Sequence, residues 1–241
     1  MNQLKISTRL AVAFAVMVLL LIALGAVSLV RSAHQRAELK NVVDVRIPII
    51  KALGALNDGV NEQAIQLRNL AIFTSEAIVK SATSQIAAAS ADVDVQYTTL
   101  NTLVSSEKGK ELMARMQQRR GDFLKLRDQY LTTLQQGQRD EALKLLEEQL
   151  RPAQLAYMAA IDEQFEYQFK RTVDAGALAE SAALALQRDV LIAAALAIGI
   201  AIFLAITIIR SITRPLAQAV EAADRVAGGD LSGQIVVQSK D

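Results

Sequence analysis

Cysteine and tryptophan are absent from this sequence of 241 residues, proline occurs only three times, and aromatic residues make up 4% of it. Without cysteine there is no disulfide framework and no thiol chemistry, a state compatible with an oxidising compartment. Neither charge sign dominates. The formal net charge is +1, so no global field draws the chain to nucleic acid. The single histidine, His34, has no Cys or His companion and reads as an interfacial or solvated residue rather than a metal ligand. There is no nucleophile–base pattern, no metal-ligand cluster and no phosphate loop. Gly228-Gly229 reads as a helix stop. The expectation is a protein without catalytic activity, cofactor or metal.

What the sequence does have is apolar residues, 52% of the total, gathered in two uncharged blocks, Leu10 to Val30 and Val190 to Ile209. Each holds about 20 residues, enough at roughly 1.5 Å per residue to cross a hydrocarbon core of about 30 Å. A buried core helix would be shorter and carry a polar edge. A cleaved signal peptide has an apolar run of only about 7–15 residues, and here the chain stays helical and charged beyond Arg31. Lys5 and Arg9 precede the first block, and Arg210 and Arg214 follow the second. By the positive-inside bias both termini are cytoplasmic. The expected layout is a cytoplasmic tail (1–9), a first span (10–30), an extracytoplasmic segment (31–189), a second span (190–209) and a cytoplasmic remainder (210–241). In the second span, Gly199 marks either a close helix approach or plain lipid-facing packing.

The segment between the spans is rich in helix formers, with apolar residues at helical spacing. The stripes read Leu53, Leu56, Val60, Ala64, Leu67, Ala71; then Ile78, Ala82, Ala89, Val93, Leu100, Leu103; then Leu112, Met116, Phe123, Leu126, Tyr130, Leu134; then Leu146, Leu150, Ala153, Tyr157, Ile161. Thr74-Ser75-Glu76 and Ser105-Ser106-Glu107 are capping signals, and Gln136-Gly137-Gln138 is a stop. Pro152 either kinks the fourth helix or marks a restart near Arg151. The predicted fold is all-α: two transmembrane helices flanking an up-down-up-down four-helix bundle. After the second span an apolar seam, Leu216, Ala219 or Val220, Ala223 and Val226, reads as a short coiled-coil helix with Pro215 in its first turn.

Arg214-Pro215-Leu216, with Glu221 and Gly229-Asp230-Leu231-Ser232, resembles the first helix and connector of a HAMP domain. Arg46-Ile47-Pro48, and Gln138-Arg139-Asp140-Glu141-Ala142 before Arg151-Pro152, resemble recurring stretches of the four-helix-bundle sensor found in bacterial methyl-accepting chemotaxis proteins. The sequence stops at Asp241, before a second HAMP helix and before the cytoplasmic signalling hairpin that such receptors carry. The resemblance implies a homodimer or higher oligomer in a bacterial inner membrane, its sensor periplasmic, that controls a chemotaxis kinase and adaptor through the missing region. Arg214, Pro215, Leu216, Glu221, Gly229, Asp230 and Leu231 would relay the signal. Membrane histidine kinases and diguanylate cyclases share this input layout and are the alternative. A structural anchor without ligand is a third reading.

Buried charge is costly unless paired, so arginines beside a core stripe point to an anionic ligand. Arg119 is assigned to the apolar register of the third helix. Arg120 and Arg127, seven residues apart, share a face with Tyr130 close by. Arg68 flanks Leu67, with Asn61 seven residues before it. Tyr97 flanks Val93, and Tyr157 lies on the inner face of the fourth helix. Guanidinium forks and phenol hydroxyls are the donors a small carboxylate needs, from an organic acid or an amino acid. The same arginines are equally suited to snorkelling or to pairing with Asp and Glu, and the tyrosines to filling the core.

Overall fold

A computed structural model describes residues 6–228, so Gly229, Asp230 and Leu231 lie outside the described residues. Those residues form helices and contain no strand. In chain order the helices are α1 (Ile6–Asn41), α2 (Ile47–Ile72), α3 (Glu76–Leu103), α4 (Glu107–Gln135), α5 (Arg139–Leu145), α6 (Arg151–Ile208) and α7 (Arg214–Ala227).

Three breaks are not loops. Val42–Arg46, Leu146–Leu150 and Ile209–Thr213 are single π-helical turns that carry one helix into the next. Each of the three prolines, Pro48, Pro152 and Pro215, stands two residues beyond such a turn. Proline has no N–H to give and its ring crowds the carbonyl four residues back. A wide turn relieves the crowding by pairing residues five apart: Ile47 N–H donates to the Val42 carbonyl, and Arg151 N–H to that of Leu146. Pro152 therefore neither stops nor restarts the fourth bundle helix, which begins at Arg139 and continues through the turn.

The chain divides into two compact units, one of them Ala37–Ala179 and the other made of the remaining residues at both ends. The first unit is the four-helix bundle: α2, α3, α4, and α5 with the first part of α6. Chain entry and connections alternate up and down. Gly137 takes φ +76° at the end of α4, a left-handed conformation open to glycine. Ser106 caps α4, its hydroxyl accepting from the Gly109 N–H at 3.3 Å. Replacing Ser106 by Ala is expected to cost about 1 kcal/mol, read as a lower urea midpoint. Arg139 donates a hydrogen bond to the Ala71 carbonyl, holding the α4–α5 turn to the end of α2. Gly59 lets α2 approach α3: a Cβ there would lie 2.7 Å from Val93 Cγ2.

The core is a column of apolar side chains at spacings of three and four. In α3 it runs Ala82, Ile86, Ala89, Val93, Tyr97, Leu100. Tyr97 is therefore part of the stripe rather than a flanking residue, while Ile78 is 38% exposed. In α4 the buried positions are Gly109, Leu112, Met113, Met116, Phe123 and Tyr130. The intervening register positions, 120 and 127, are arginines. Arg119 is the residue that departs from expectation. It is one step off the stripe and exposed, with Asp122 3.7 Å away. From Leu150 of the π-helical turn the stripe continues into α6 as Gln154, Tyr157, Ile161, Gln164 and Gln168, all six buried. Three of these six are glutamines.

The second unit contains the two apolar stretches. In these the large side chains point outward: Leu19, Leu29, Leu191, Leu196 and Phe203 are among the exposed ones. Two helical stretches are long and apolar enough to cross a membrane, and an apolar exterior is what a lipid solvent requires. Arg31 Nη2 lies 3.2 Å from Asp189 Oδ2, joining the C-terminal end of the first stretch to the N-terminal end of the second. A Cβ at Gly199 would meet no atom within 4 Å, so within this chain that glycine serves no close helix approach. In α7, Leu216, Val220 and Glu221 are exposed.

Candidate functional site

Two polar assemblies and one recess occupy the middle of the bundle. The first assembly is built on Arg120. Its guanidinium lies 4.8 Å from the centre of the Tyr97 ring and pairs with Asp94. The Tyr157 hydroxyl donates to the Tyr97 hydroxyl at 3.1 Å. Tyr157 also packs on Phe123, with ring centres 6.1 Å apart. These residues come from three helices, so the network ties α3, α4 and α6 together.

The second assembly is built on Arg127. Its Nη1 donates to Gln63 Oε1 at 3.1 Å and to Ser90 Oγ at 3.2 Å. Nε and Nη2 both donate to Asp128 Oδ1, at 2.9 and 2.8 Å. Tyr130, one turn on, is fully buried and donates to the Leu67 carbonyl at 2.8 Å. Each of these cations thus already has a carboxylate partner, although the buried Nε of Arg120 finds no acceptor. Of the predicted set, Arg120, Tyr97 and Tyr157 meet in the first assembly, and Arg127 and Tyr130 stand at the second, each with a partner inside the bundle. Arg119 and Asn61 stand apart from both assemblies and are exposed.

Burial keeps the phenols neutral. It pushes the Tyr130 hydroxyl up to about 12. Burial also raises Tyr157, aided by Tyr97, and raises Tyr97 against the opposing hydrogen bond from Tyr157 and the charge of Arg120. A group raised in the folded state contributes stability that is complete below its unfolded value, about 10 for tyrosine, and is lost as pH rises through its folded value. The urea midpoint of the bundle is therefore expected to hold level from neutral pH to about 10 and to fall towards pH 12. Tyr130→Phe should flatten that fall. A midpoint insensitive to pH across this window would contradict the burial argument.

The recess lies beside these assemblies and encloses about 190 Å³. Its floor is apolar, formed by Leu67 of α2, Phe123 of α4 and Leu150. Its rim carries Arg68, Glu147, Arg151 and Gln154. Arg68, Arg151 and Glu147 are exposed and have no ion pair or side-chain hydrogen bond among the described residues. Gln154 is buried, and its amide nitrogen faces only the Met158 sulfur, at 3.3 Å, a weak acceptor. The π-helical turn before Pro152 presents Glu147 and Arg151 at this edge. Of the predicted residues, Arg68 is the one at the recess. Arg151, Glu147 and Gln154 were missed. The usable signals were the proline and the glutamine at a core register position. No group of acidic or His side chains among the described residues is arranged to hold a metal ion.

Comparison with known families decides the assignment. Residues 3–183 match the model of the four helix bundle sensory module for signal transduction. The chain belongs to this family. Residues 207–241 of this sensory protein match the HAMP domain. Together with two membrane-length apolar helices, these matches make it a transmembrane signal transducer of the chemoreceptor type. Both modules serve sensing and signal transmission. No curated protein matches the chain.

Proposed function

We propose that this protein is a bacterial inner-membrane chemoreceptor whose periplasmic bundle binds a small anion, an organic acid or amino acid. The observation that carries this reading is the pair of uncommitted guanidinium groups, Arg68 and Arg151, at the rim of an apolar-floored recess. Elsewhere in the bundle core Arg120 is already paired with Asp94, and Arg127 with Asp128, Gln63 and Ser90. Two free forks facing one concavity are what a carboxylate recognises. The ligand would bridge α2 and the start of α6, favouring one arrangement of the two helices. A ligand shifts such an equilibrium only by its differential affinity for the two states. The shift passes along α6, one helix from Arg151 to Ile208, through the second span to the HAMP helix.

Two chains pair through the first helix, and the exposed seam Leu216 and Val220 of α7 packs in the dimer. Arg214, Pro215 and Glu221 belong to this relay, which ends on a chemotaxis kinase and its adaptor. The chain acts as a receptor and performs no catalysis of its own.

The test is calorimetric titration of the full chain in lipid nanodiscs with a panel of small carboxylates and amino acids. Saturable binding is expected, weakened about tenfold or more by Arg68→Ala and by Arg151→Ala, with helicity unchanged. Cells lacking the protein should lose taxis towards the same compound. Absence of binding across the panel overturns the direct-ligand reading.

A further inference from the structure

The charges on the recess rim are unequal. Arg68 and Arg151 are two cations, and Glu147 is one carboxylate on the same rim with no cationic partner of its own. The rim thus has one net positive charge to offer, above a floor of Leu67, Phe123 and Leu150 that offers no hydrogen bond. Glu147 owes its place at the recess to the π-helical turn Leu146–Leu150. The neighbouring Glu148 stands on the same turn, exposed, and does not line the recess.

We infer that the recess takes a small monocarboxylate with an apolar body, and that Glu147 is the residue that turns away dicarboxylates. This rests on the anion-binding reading above and narrows it to a substrate class. One carboxylate is held between Arg68 and Arg151. The apolar remainder lies on Phe123 and the two leucines, where its burial contributes in proportion to area. A second carboxylate on the ligand would have to be desolvated over that floor or placed near Glu147, and both are unfavourable. Specificity here comes from a repulsive element set beside the attractive pair. An α-ammonium group on a monocarboxylate is compatible with Glu147, so a zwitterion with an apolar side chain falls within the class, and an acidic amino acid does not.

The experiment titrates the full chain in nanodiscs with isovalerate, leucine and succinate, for the wild type, Glu147→Gln and Glu148→Gln. The wild type should bind isovalerate or leucine about tenfold or more tighter than succinate. Glu147→Gln should shrink that ratio about tenfold, chiefly through tighter succinate binding. Glu148→Gln, with the same change in net charge, should leave the ratio as in the wild type. Equal or better succinate binding by the wild type overturns the inference, as does a ratio unmoved by Glu147→Gln or moved as much by Glu148→Gln. In those cases carboxylates still bind, and the anion-sensor reading stands. If none of the three compounds binds, and a wider carboxylate panel also fails, both readings fall together. If only the wider panel yields ligands and these are dicarboxylates, this inference alone falls.

Discussion

Replacing Tyr157 by alanine is expected to lower the stability of the bundle by about 3–5 kcal/mol, the range for truncating a buried aromatic side chain. Tyr157 is 1% exposed. It sits where three contributions meet: its ring packs on Phe123, it holds a register position of α6, and its hydroxyl donates to Tyr97. Truncation removes apolar area from the core and leaves a void that a helical bundle closes only in part. It also leaves the Tyr97 hydroxyl, in a side chain 4% exposed, without its partner. Tyr157→Phe separates these effects. It keeps the ring and loses only the hydrogen bond, so about 1 kcal/mol is expected. Set against a typical domain stability of about 5–15 kcal/mol, the alanine variant is close to unfolding and the phenylalanine variant is not. Urea denaturation followed by circular dichroism, on the full chain in nanodiscs, measures both. Equal midpoints for the two variants would show that the packing of the ring contributes less than its hydroxyl.

The second large effect concerns the bilayer. Leu196→Asp combined with Ile200→Asp places two carboxylates four residues apart on one face of the apolar stretch of α6. Each exchange makes insertion less favourable by about 3–4 kcal/mol at a helix centre, or about 6–8 together. The apolar stretch holds no other charge to compensate. Because the chain has no cysteine, a single cysteine introduced at Glu180 or at Thr213 reports sidedness to a membrane-impermeant thiol reagent. In the parent chain the two positions should label from opposite sides of the membrane. In the double Asp variant they should label from the same side. The double Ala variant should behave like the parent. Opposite-side labelling retained in the Asp variant would mean that this stretch does not rely on its apolar character to span.

The uneven success of sequence reading along α4 has a clear physical origin. Arg119, Arg120 and Arg127 are all arginines near one apolar stripe, and composition does not distinguish them. The stripe passes through Met116, Phe123 and Tyr130 at intervals of seven. A 3.6-residue period then selects the positions in between, 120 and 127, and leaves 119 outside. A spacing of three from Met116 points to position 119 instead. A one-residue difference in register turns a side chain through about 100°, enough to move it from the core edge to solvent.

The glutamines of α6 escape for a related reason. Gln154, Gln164 and Gln168 hold buried register positions, but a search for apolar periodicity passes over polar residues. Their burial is a property of the surrounding helices. Gln164 Nε2 finds its acceptor in the Gly109 carbonyl, 55 residues away in sequence. Pairings at such separations, like that of Tyr157 with Tyr97 or Arg127 with Gln63, are fixed by how helices are laid side by side.

By itself, then, the sequence determined the architecture: absent cysteine, scarce proline and glycine, two uncharged apolar blocks and four amphipathic stripes already require spans around a helical bundle. Apolar periodicity and length are local properties and can be read along one chain. The tertiary structure alone decided which cations are spent and which are free. Arg120 and Arg127 meet acceptors on neighbouring helices, whereas Arg68 and Arg151 face a recess shaped by the wide turn before Pro152. Whether a charge is satisfied depends on neighbours distant in sequence, and packing is what supplies them.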